Sequence, residues 1–318
     1  MSNKIDLATT VNITSTYAGE FAGKYIAAAL LSADTLDKGN ITIMPNVKFK
    51  SVIQKASTDD IVKDASCGFE PNQGTLTLTE KVLEPRELQV NLEICRKTLH
   101  ESWQAAQMGF GLNDELPKDF SDFVLAHVAA KVADRTEKSI WSGDSGTSGQ
   151  FDGFATLLAA DTALPSGQDI VGTAVTAANV VTELGTVVDA IPTAVYGSED
   201  LAIYAASNVI RAYTRALGGF QSGGQGAAGY ENKGNNQSLG SLFFDGIPVI
   251  PCRGAADDMI IAAEKSNLFF GTSLVSDLSE VAVIDMSQTD GSQNIRVVMR
   301  FTSGVQYAQV SDIVYRTV

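Results

Sequence analysis

The sequence predicts an α+β fold, and three patterns along the chain indicate it. Apolar and polar residues alternate over 75–79 and again over 88–94, as they do along a β-strand with one buried face. Residues 123–133 are apolar almost all round at helical spacing, which is typical of a buried helix. Helix and strand patterns then mix over 176–273, and strand patterns follow to the end. The chain therefore contains a strand-rich region, a long helix and a mixed α/β region in that order.

Length and composition exclude several classes of protein. At 318 residues the chain can bury a core without disulfides or metals, and its 44% hydrophobic content excludes intrinsic disorder. A net charge of −14 disfavours a nucleic-acid binder, which needs a basic surface. Only 19% of the residues are charged, so the surface is short of charge although the balance is strongly acidic.

Cysteine usage and targeting signals indicate a reducing compartment. Cys67, Cys95 and Cys252 form no CxxC pair, so we expect buried thiols rather than a zinc site or a disulfide framework. The N-terminus lacks the charged-then-apolar pattern of a signal peptide, and no apolar stretch approaches the ~20 residues that cross a bilayer. We therefore expect synthesis in a cytoplasm and no membrane association.

The N-terminal part of the chain predicts an arm followed by a long hairpin. Helical spacing predicts a helix over 12–33. Strand patterns flank a polar stretch at 57–74, which predicts a two-stranded excursion with a polar tip. Residues 45–100 contain eight basic and eight acidic residues, so this segment is neutral within an acidic chain. Because an isolated two-stranded ribbon is only marginally stable in water, we expect it to dock onto another surface.

The rest of the chain predicts helices and short strands. Residues 119–142 predict a long buried helix with His127 as a core histidine, and the glycines of 143–149 end it. The remaining patterns predict a helix over 98–108, an anchored turn at 151–154, a helix over 176–190, a strand end at 194–197, a turn or helix over 198–204, a helix over 206–217, a glycine-rich loop over 218–240, short strands near 242–244, 247–250, 259–263 and 268–271, and a β-rich tail over 274–318 with a hairpin turn at Asp290-Gly291.

No motif in the sequence indicates a catalytic, cofactor or metal site. Residues 224–229 match GxGxxG, but a helix precedes them and no helix starts in them, so a flexible loop is favoured over a phosphate cradle. Residues 143–146, Gly-Asp-Ser-Gly, resemble a serine-protease segment, yet neither of the two histidines is suited to be its base, so a helix-ending turn is favoured. No histidine lies at ligand spacing, so metal catalysis by imidazole is disfavoured. The acidic pairs at 59–60 and 257–258 could bind a hard cation, but paired acids in polar turns are usually solvated, and that is what we expect here.

The order of the predicted elements is more informative than any single motif. Phe151-Asp152-Gly153-Phe154 follows the long helix, Leu268-Phe269-Phe270-Gly271-Thr272 precedes the final β segment, and Arg300-Phe301 and Val305-Gln306-Tyr307 lie near the end. This order resembles the major capsid protein of tailed bacteriophages, whose fold is named after phage Hong Kong 97. The resemblance covers essentially the whole chain. It implies an N-terminal arm (1–38), an extended β-hairpin loop (39–97), a peripheral domain with a long spine helix (98–164), an axial α/β domain (165–272) and a return of β-structure to the peripheral domain (273–318).

The resemblance implies shell building rather than catalysis, and it implies no cofactor. Copies of the chain would form hexamers and pentamers of an icosahedral shell that encloses double-stranded DNA without binding a specific sequence. A portal protein would be a partner, and a separate scaffolding protein and a decoration protein are both compatible with such a shell. The protein would belong to the virion capsid, assembled in the host cytoplasm. Subunit contacts are then expected at Lys55, Phe69, Leu76, Leu78, Glu84, Arg86, Glu137 and Lys138.

Two other functions stay open on the sequence alone. One is an encapsulin, a cellular protein shell of the same fold that holds enzyme cargo in place of DNA. The other, from a different class, is a nucleotide-dependent enzyme built on residues 165–272. The size of the purified protein separates these classes, because an enzyme forms a small oligomer and a shell protein forms capsomers or large particles.

Overall fold

The computed structural model describes residues 16–18, 34–47, 49–58, 76–95, 118–217, 242–273, 280–286, 291–292 and 294–318. Within them the chain forms two six-stranded sheets, a two-stranded ribbon and five α-helices. The helices are α1 (Asp34–Asp37), α2 (Lys118–Ser142), α3 (Phe154–Ala160), α4 (Val180–Asp189) and α5 (Ser207–Ala216). The strands are β1 (Thr16–Ala18), β2 (Thr42–Met44), β3 (Ser51–Thr58), β4 (Leu76–Leu83), β5 (Arg86–Cys95), β6 (Asp169–Val171), β7 (Leu201–Ala206), β8 (Leu242–Phe244), β9 (Ile247–Cys252), β10 (Ile260–Glu264), β11 (Leu268–Thr272), β12 (Glu280–Asp285), β13 (Asn294–Tyr307) and β14 (Val314–Thr317).

The first sheet is organised around β13, the longest strand described. Its order is β1-β12-β13-β11-β2, and β5 also pairs with β13. Residues 86–95, predicted as part of the extended loop, instead pair antiparallel with 294–303 of β13, so that Leu88 lies opposite Phe301. The alternating residues of β5 therefore belong to a sheet that has one face turned to α2. Only β3 and β4 form the ribbon among the described strands.

The second sheet has the order β6-β14-β10-β7-β9-β8. Its strand β7 lies at 201–206, where a turn or helix was predicted, and the predicted strand end at 194–197 forms turns. All six residues of β7 are buried, because both faces of a central strand are covered, so the alternation that identifies a half-exposed strand is missing. Helices α4 and α5 fall within the predicted helices, and Val181 of α4 is exposed.

Near the end of the chain, strands β11 and β14 each join a different sheet from the one that their predicted domain implies. Strand β11, which the sequence assigned to the axial domain, pairs with β13 and β2 in the first sheet. Strand β14, assigned to the peripheral return, pairs with β10 and β6 in the second sheet. Hydrogen-bond partners of a strand are remote in sequence, so local patterns do not reveal which sheet a strand joins.

Helix α2 begins and ends close to where the sequence predicts, and residues 127–142 include both buried and exposed positions. Val128, Val132 and Ile140 face the protein, whereas His127 is exposed, so its predicted burial in the core is wrong. Alanine supplies much of the apolar content of this stretch, and alanine is tolerated on an exposed face. At the C-terminal end Trp141 is fully buried, and it lies in a core cluster that also contains Phe154 and Tyr204, with ring centroids 5.6 and 5.1 Å away.

The N-terminal arm differs from its prediction where it is described. Residues 16–18 form a strand that pairs with β12, so the helix predicted over 12–33 is wrong there; β-branched and aromatic side chains at Thr16 and Tyr17 favour a strand. Among the described helices, none combines the length and apolarity of a membrane span. The rest of that predicted helix, the helix over 98–108, most of the polar tip and the glycine-rich loop with its GxGxxG stretch lie outside the described residues.

Candidate subunit-contact site

The ribbon of β3 and β4 carries several of the residues at which the sequence predicts a contact with another subunit. Ser51 pairs with Leu83 at its root, and the antiparallel register continues to Thr58 and Leu76. These strands form a sheet of their own and share no backbone ladder with either six-stranded sheet. The predicted two-stranded excursion is thus present, and its described part is eight residue pairs long.

The two faces of the ribbon differ because successive side chains of a strand point to opposite sides. On the inner face, Ile53 and Leu83 are buried in a small apolar cluster with Val47. Met44, Phe269 and Ala308 pack against this cluster. The inner face therefore fixes the root of the ribbon to the first sheet of its own subunit.

The outer face presents apolar side chains to solvent. Val52 and Val82 lie opposite each other, and Leu78 follows two register steps further along. Their exposed fractions are 51%, 43% and 60%. Between them Gln54 donates a hydrogen bond of 2.7 Å to the carboxylate of Glu80. Exposed apolar residues grouped on one face are typical of a surface that another protein covers; we call Val52, Leu78 and Val82 the outer ribbon face.

A partly buried ion pair ties the ribbon root to the body of the subunit. Lys81 Nζ lies 2.6 Å from Asp161 Oδ2, and the hydroxyl of Tyr307 donates to the same oxygen at 2.6 Å. The backbone N–H of Ala163 donates to the other carboxylate oxygen at 2.9 Å. We call Lys81, Asp161 and Tyr307 the ribbon clasp, since it links β4 to the end of α3 and to β13.

Electrostatics favour the charged form of the clasp. Burial alone would raise the pKa of Asp161, but hydrogen bonds from Lys81, Tyr307 and Ala163 outweigh it and lower that pKa to about 2. Burial, and then the neighbouring carboxylate, raise the pKa of Tyr307, so its hydroxyl keeps its proton and remains a donor. The Lys81 ammonium also lies 5.1 Å from the Tyr307 ring centroid, within the range of a cation–π contact.

The predicted contact residues are distributed unevenly over this site. Leu78 lies on the outer ribbon face. Lys55 and Leu76 belong to β3 and β4, while Phe69 lies outside the described residues. At the ribbon root Glu84 is exposed and pairs with Lys50 at 2.9 Å.

Two of the predicted contact residues are engaged inside the subunit. Arg86 donates from Nη1 to the carbonyl of Ser145 at 2.7 Å, so it braces β5 against the turn after α2. Glu137 is only 5% exposed and accepts hydrogen bonds from the backbone and hydroxyl of Thr35 and from Trp141 Nε1. Its carboxylate therefore joins Thr35 to α2 within the subunit, and the subunit contact through Glu137 stays a prediction. Its neighbour Lys138 is exposed.

Sequence reasoning missed Val52, Val82, Asp161 and Tyr307. The first two could have been found, since placing 51–58 opposite 76–83 brings them to the same face as Leu78. The clasp could not, because Asp161 lies 146 residues before Tyr307 and no local pattern relates them.

The other candidate chemical sites have structural roles. In the Gly143–Gly146 turn the N–H of Ser145 donates to Asp152 and the N–H of Gly146 to Asp144, which closes the end of α2. The carboxylate of Asp258 accepts hydrogen bonds from Val175 N and Asn208 Nδ2. No group of metal-ligating side chains occurs in the described part of the chain.

Comparison with known proteins gives structural relatives only. No protein-family profile and no curated protein matches the sequence. A chain of the satellite phage P4 procapsid, in a structure that includes the size determination (Sid) protein, is 10% identical with a TM-score of 0.57; the match covers 92% of this chain and 96% of that one. The capsid of an empty GTA particle is 12% identical with a TM-score of 0.56, over 98% and 94% of the two chains. The capsid of cyanophage P-SCSP1u is 12% identical with a TM-score of 0.54, over 98% and 92%.

The chain has the fold of phage capsid proteins. The likeness spans nearly the full length of both partners in each comparison. At 10–12% identity the comparisons show a shared overall fold and not shared individual residues. The roles of the outer ribbon face and of the ribbon clasp therefore rest on this chain's own contacts.

Proposed function

We propose that the chain is a major capsid protein of a tailed bacteriophage. It self-assembles into hexamers and pentamers of an icosahedral shell, and that shell encloses double-stranded DNA. The observation that supports this most directly is the outer ribbon face, an exposed apolar surface on a ribbon whose other face is fixed to its own subunit. The capsid fold of the whole chain supports it independently.

The apolar area that the outer ribbon face exposes to water favours association with another subunit. Each of Val52, Leu78 and Val82 is about half exposed, so covering them contributes roughly 1 kcal/mol apiece. Such a contribution is small in one contact, but each copy in a closed shell both gives a ribbon and receives one. The clasp adds directional stiffness at the root, so the ribbon reaches its neighbour without a large loss of conformational freedom.

The net negative charge supports a shell that encloses DNA over one that binds DNA tightly. Because residues 45–100 are neutral, the whole surplus of −14 belongs to the rest of the subunit. A surface of that sign repels phosphates and leaves packaged DNA able to move. Tight binding of DNA to isolated capsomers at ordinary salt would contradict this part of the proposal.

The remaining features of the proposal follow from a virion shell. The protein resides in the capsid after assembly in the host cytoplasm, it acts as a structural protein rather than an enzyme, and its partners are its own copies and a portal protein. A separate scaffolding protein and a decoration protein are both compatible with the shell. We retain the five segments proposed from the sequence, with β5, β11 and β14 reassigned by their pairing.

The test is assembly of ribbon variants, followed by sedimentation velocity. Leu78→Asp and Val52→Asp bring a charge into the contact that the outer ribbon face would make, and we expect both to abolish large particles. Val171→Asp is the matched control, because Val171 is 78% exposed and lies on β6, away from the ribbon. Equal assembly of Leu78→Asp and the wild type would refute a role for the outer ribbon face.

A further inference from the structure

A groove lies between α2 and the β5–β13 part of the first sheet, apart from the outer ribbon face. Its volume is about 380 Å³, within the range of sites that receive small side chains or ligands. Val128 and Val132 of α2 form one wall, and alternate residues Leu88, Val90 and Leu92 of β5 form the other. Phe301 of β13 and Phe151 lie in its lining as well and are buried. The groove is therefore mainly apolar.

A row of basic side chains borders this apolar groove. His127, Lys131 and Arg135 recur every four residues along α2, so they lie above one another on the same side of the helix. All three are exposed. Arg135 uses one nitrogen to donate to the carbonyl of Ser148 at 3.3 Å.

The charge of this basic border is opposite in sign to the net charge of the whole protein. Among the described residues that line the groove, the ionisable side chains are His127, Lys131 and Arg135, and none is acidic. Asp134 lies on the same helix but does not line the groove. In a chain of net charge −14, a groove with an apolar lining and a basic border is complementary to an acidic segment that carries apolar residues.

We propose that this groove binds an acidic, amphipathic peptide segment of a separate protein. The peptide places apolar side chains against the groove residues Val90, Leu92 and Val132, and its carboxylates pair with Lys131 and Arg135. An amphipathic helix laid into a groove is a common mode of peptide recognition, with anchors at helical spacing. The apolar lining disfavours nucleic acid as the occupant, because phosphates would lose water there without compensation.

The experiment measures binding of a defined probe to the full-length chain by fluorescence anisotropy. The probe is a labelled synthetic peptide of about 15 residues, with leucine at every third or fourth position and glutamate elsewhere. Two control peptides replace leucine by serine or glutamate by lysine. We expect a dissociation constant of the order of 10 μM for the probe, and binding at least about tenfold weaker for both controls.

Variants then locate the site. Lys131→Glu and Leu92→Asp are expected to weaken binding of the probe by about tenfold or more, with unchanged melting temperatures. Lys138→Glu is the matched control, since it makes the same charge change at an exposed position of α2 outside the groove, and it is expected to leave binding within about twofold.

Four results would each overturn the proposal. They are no binding of the probe up to about 1 mM, equal binding of the serine peptide, equal weakening by Lys138→Glu and Lys131→Glu, and binding of a double-stranded DNA oligomer in place of the peptide with the same dependence on Lys131. The last result would assign the groove to nucleic acid. Assembly of the shell is measured separately, so loss of peptide binding with normal assembly contradicts only this proposal.

Discussion

Removing the charge of Asp161 should loosen the ribbon clasp by an amount that the structure specifies. Its pKa is lowered to about 2 from an ordinary 3.8, and each unit corresponds to about 1.4 kcal/mol, so ionised Asp161 stabilises the fold by about 2 kcal/mol. Asp161 is 13% exposed but its partner Lys81 is 32% exposed, so water screens part of this interaction and about 2 kcal/mol is an upper bound. Asp161→Asn should therefore lower the free energy of unfolding by about 1–2 kcal/mol at neutral pH.

The contribution of Asp161 to the free energy of unfolding depends on pH. Because the pKa of Asp161 is lower in the folded than in the unfolded chain, its contribution is present in full above about pH 5 and is lost as the pH falls toward 2. Urea unfolding of the dissociated subunit, followed by tryptophan fluorescence, should show the gap between wild type and Asp161→Asn shrinking to about half by pH 3.

The control for this experiment is another aspartate. Asp200→Asn changes an exposed carboxylate on the surface before β7 and should alter stability by less than about 0.5 kcal/mol at every pH. A gap for Asp161→Asn as small as that of the control, or one that stays constant down to pH 3, would refute the account of the clasp.

Three further substitutions test the interior contacts by thermal unfolding of the subunit. Glu137→Ala leaves the buried N–H and hydroxyl of Thr35 without their acceptor and should cost about 3 kcal/mol, whereas Lys138→Ala next to it should change stability by less than about 0.5 kcal/mol. Gly254→Ala places a Cβ 2.0 Å from the carbonyl oxygen of Glu137 and should lower the melting temperature by at least about 4 °C; an unchanged value would contradict this packing. Arg316→Met removes a fully buried guanidinium that bonds the Glu183 carboxylate at 2.7 Å, and it should cost about 3–5 kcal/mol. Arg316→Lys should not restore stability, because one ammonium cannot replace the planar fork that also donates to two backbone carbonyls; full rescue would show that charge alone matters.

Local sequence patterns correctly predicted those helices and strands that spacing and alternation within a short window determine. The helix over 118–142 and the ribbon strands follow from spacing and alternation, which any short window contains. Which sheet a strand joins is not local. Strand β5 was assigned to the loop because its alternation adjoins that of β4, yet it pairs with β13 about 200 residues later. Strand β7 was missed because a strand buried on both faces has no alternation.

Only part of the candidate site was predicted from the sequence. Leu78 was identified because the ribbon itself was predicted, and the opposing strand then adds Val52 and Val82. Burial of Glu137 was not predictable from local sequence, because Thr35, 102 residues earlier, supplies the donors that allow it.

The most direct test of the proposed function is electron microscopy of the purified full-length protein in negative stain. The account predicts closed shells tens of nanometres across, or hexameric and pentameric capsomers, with particles lost in Leu78→Asp and retained in Val171→Asp. A uniform small oligomer, with neither capsomers nor shells under any assembly condition, would contradict the claim that this chain builds a capsid.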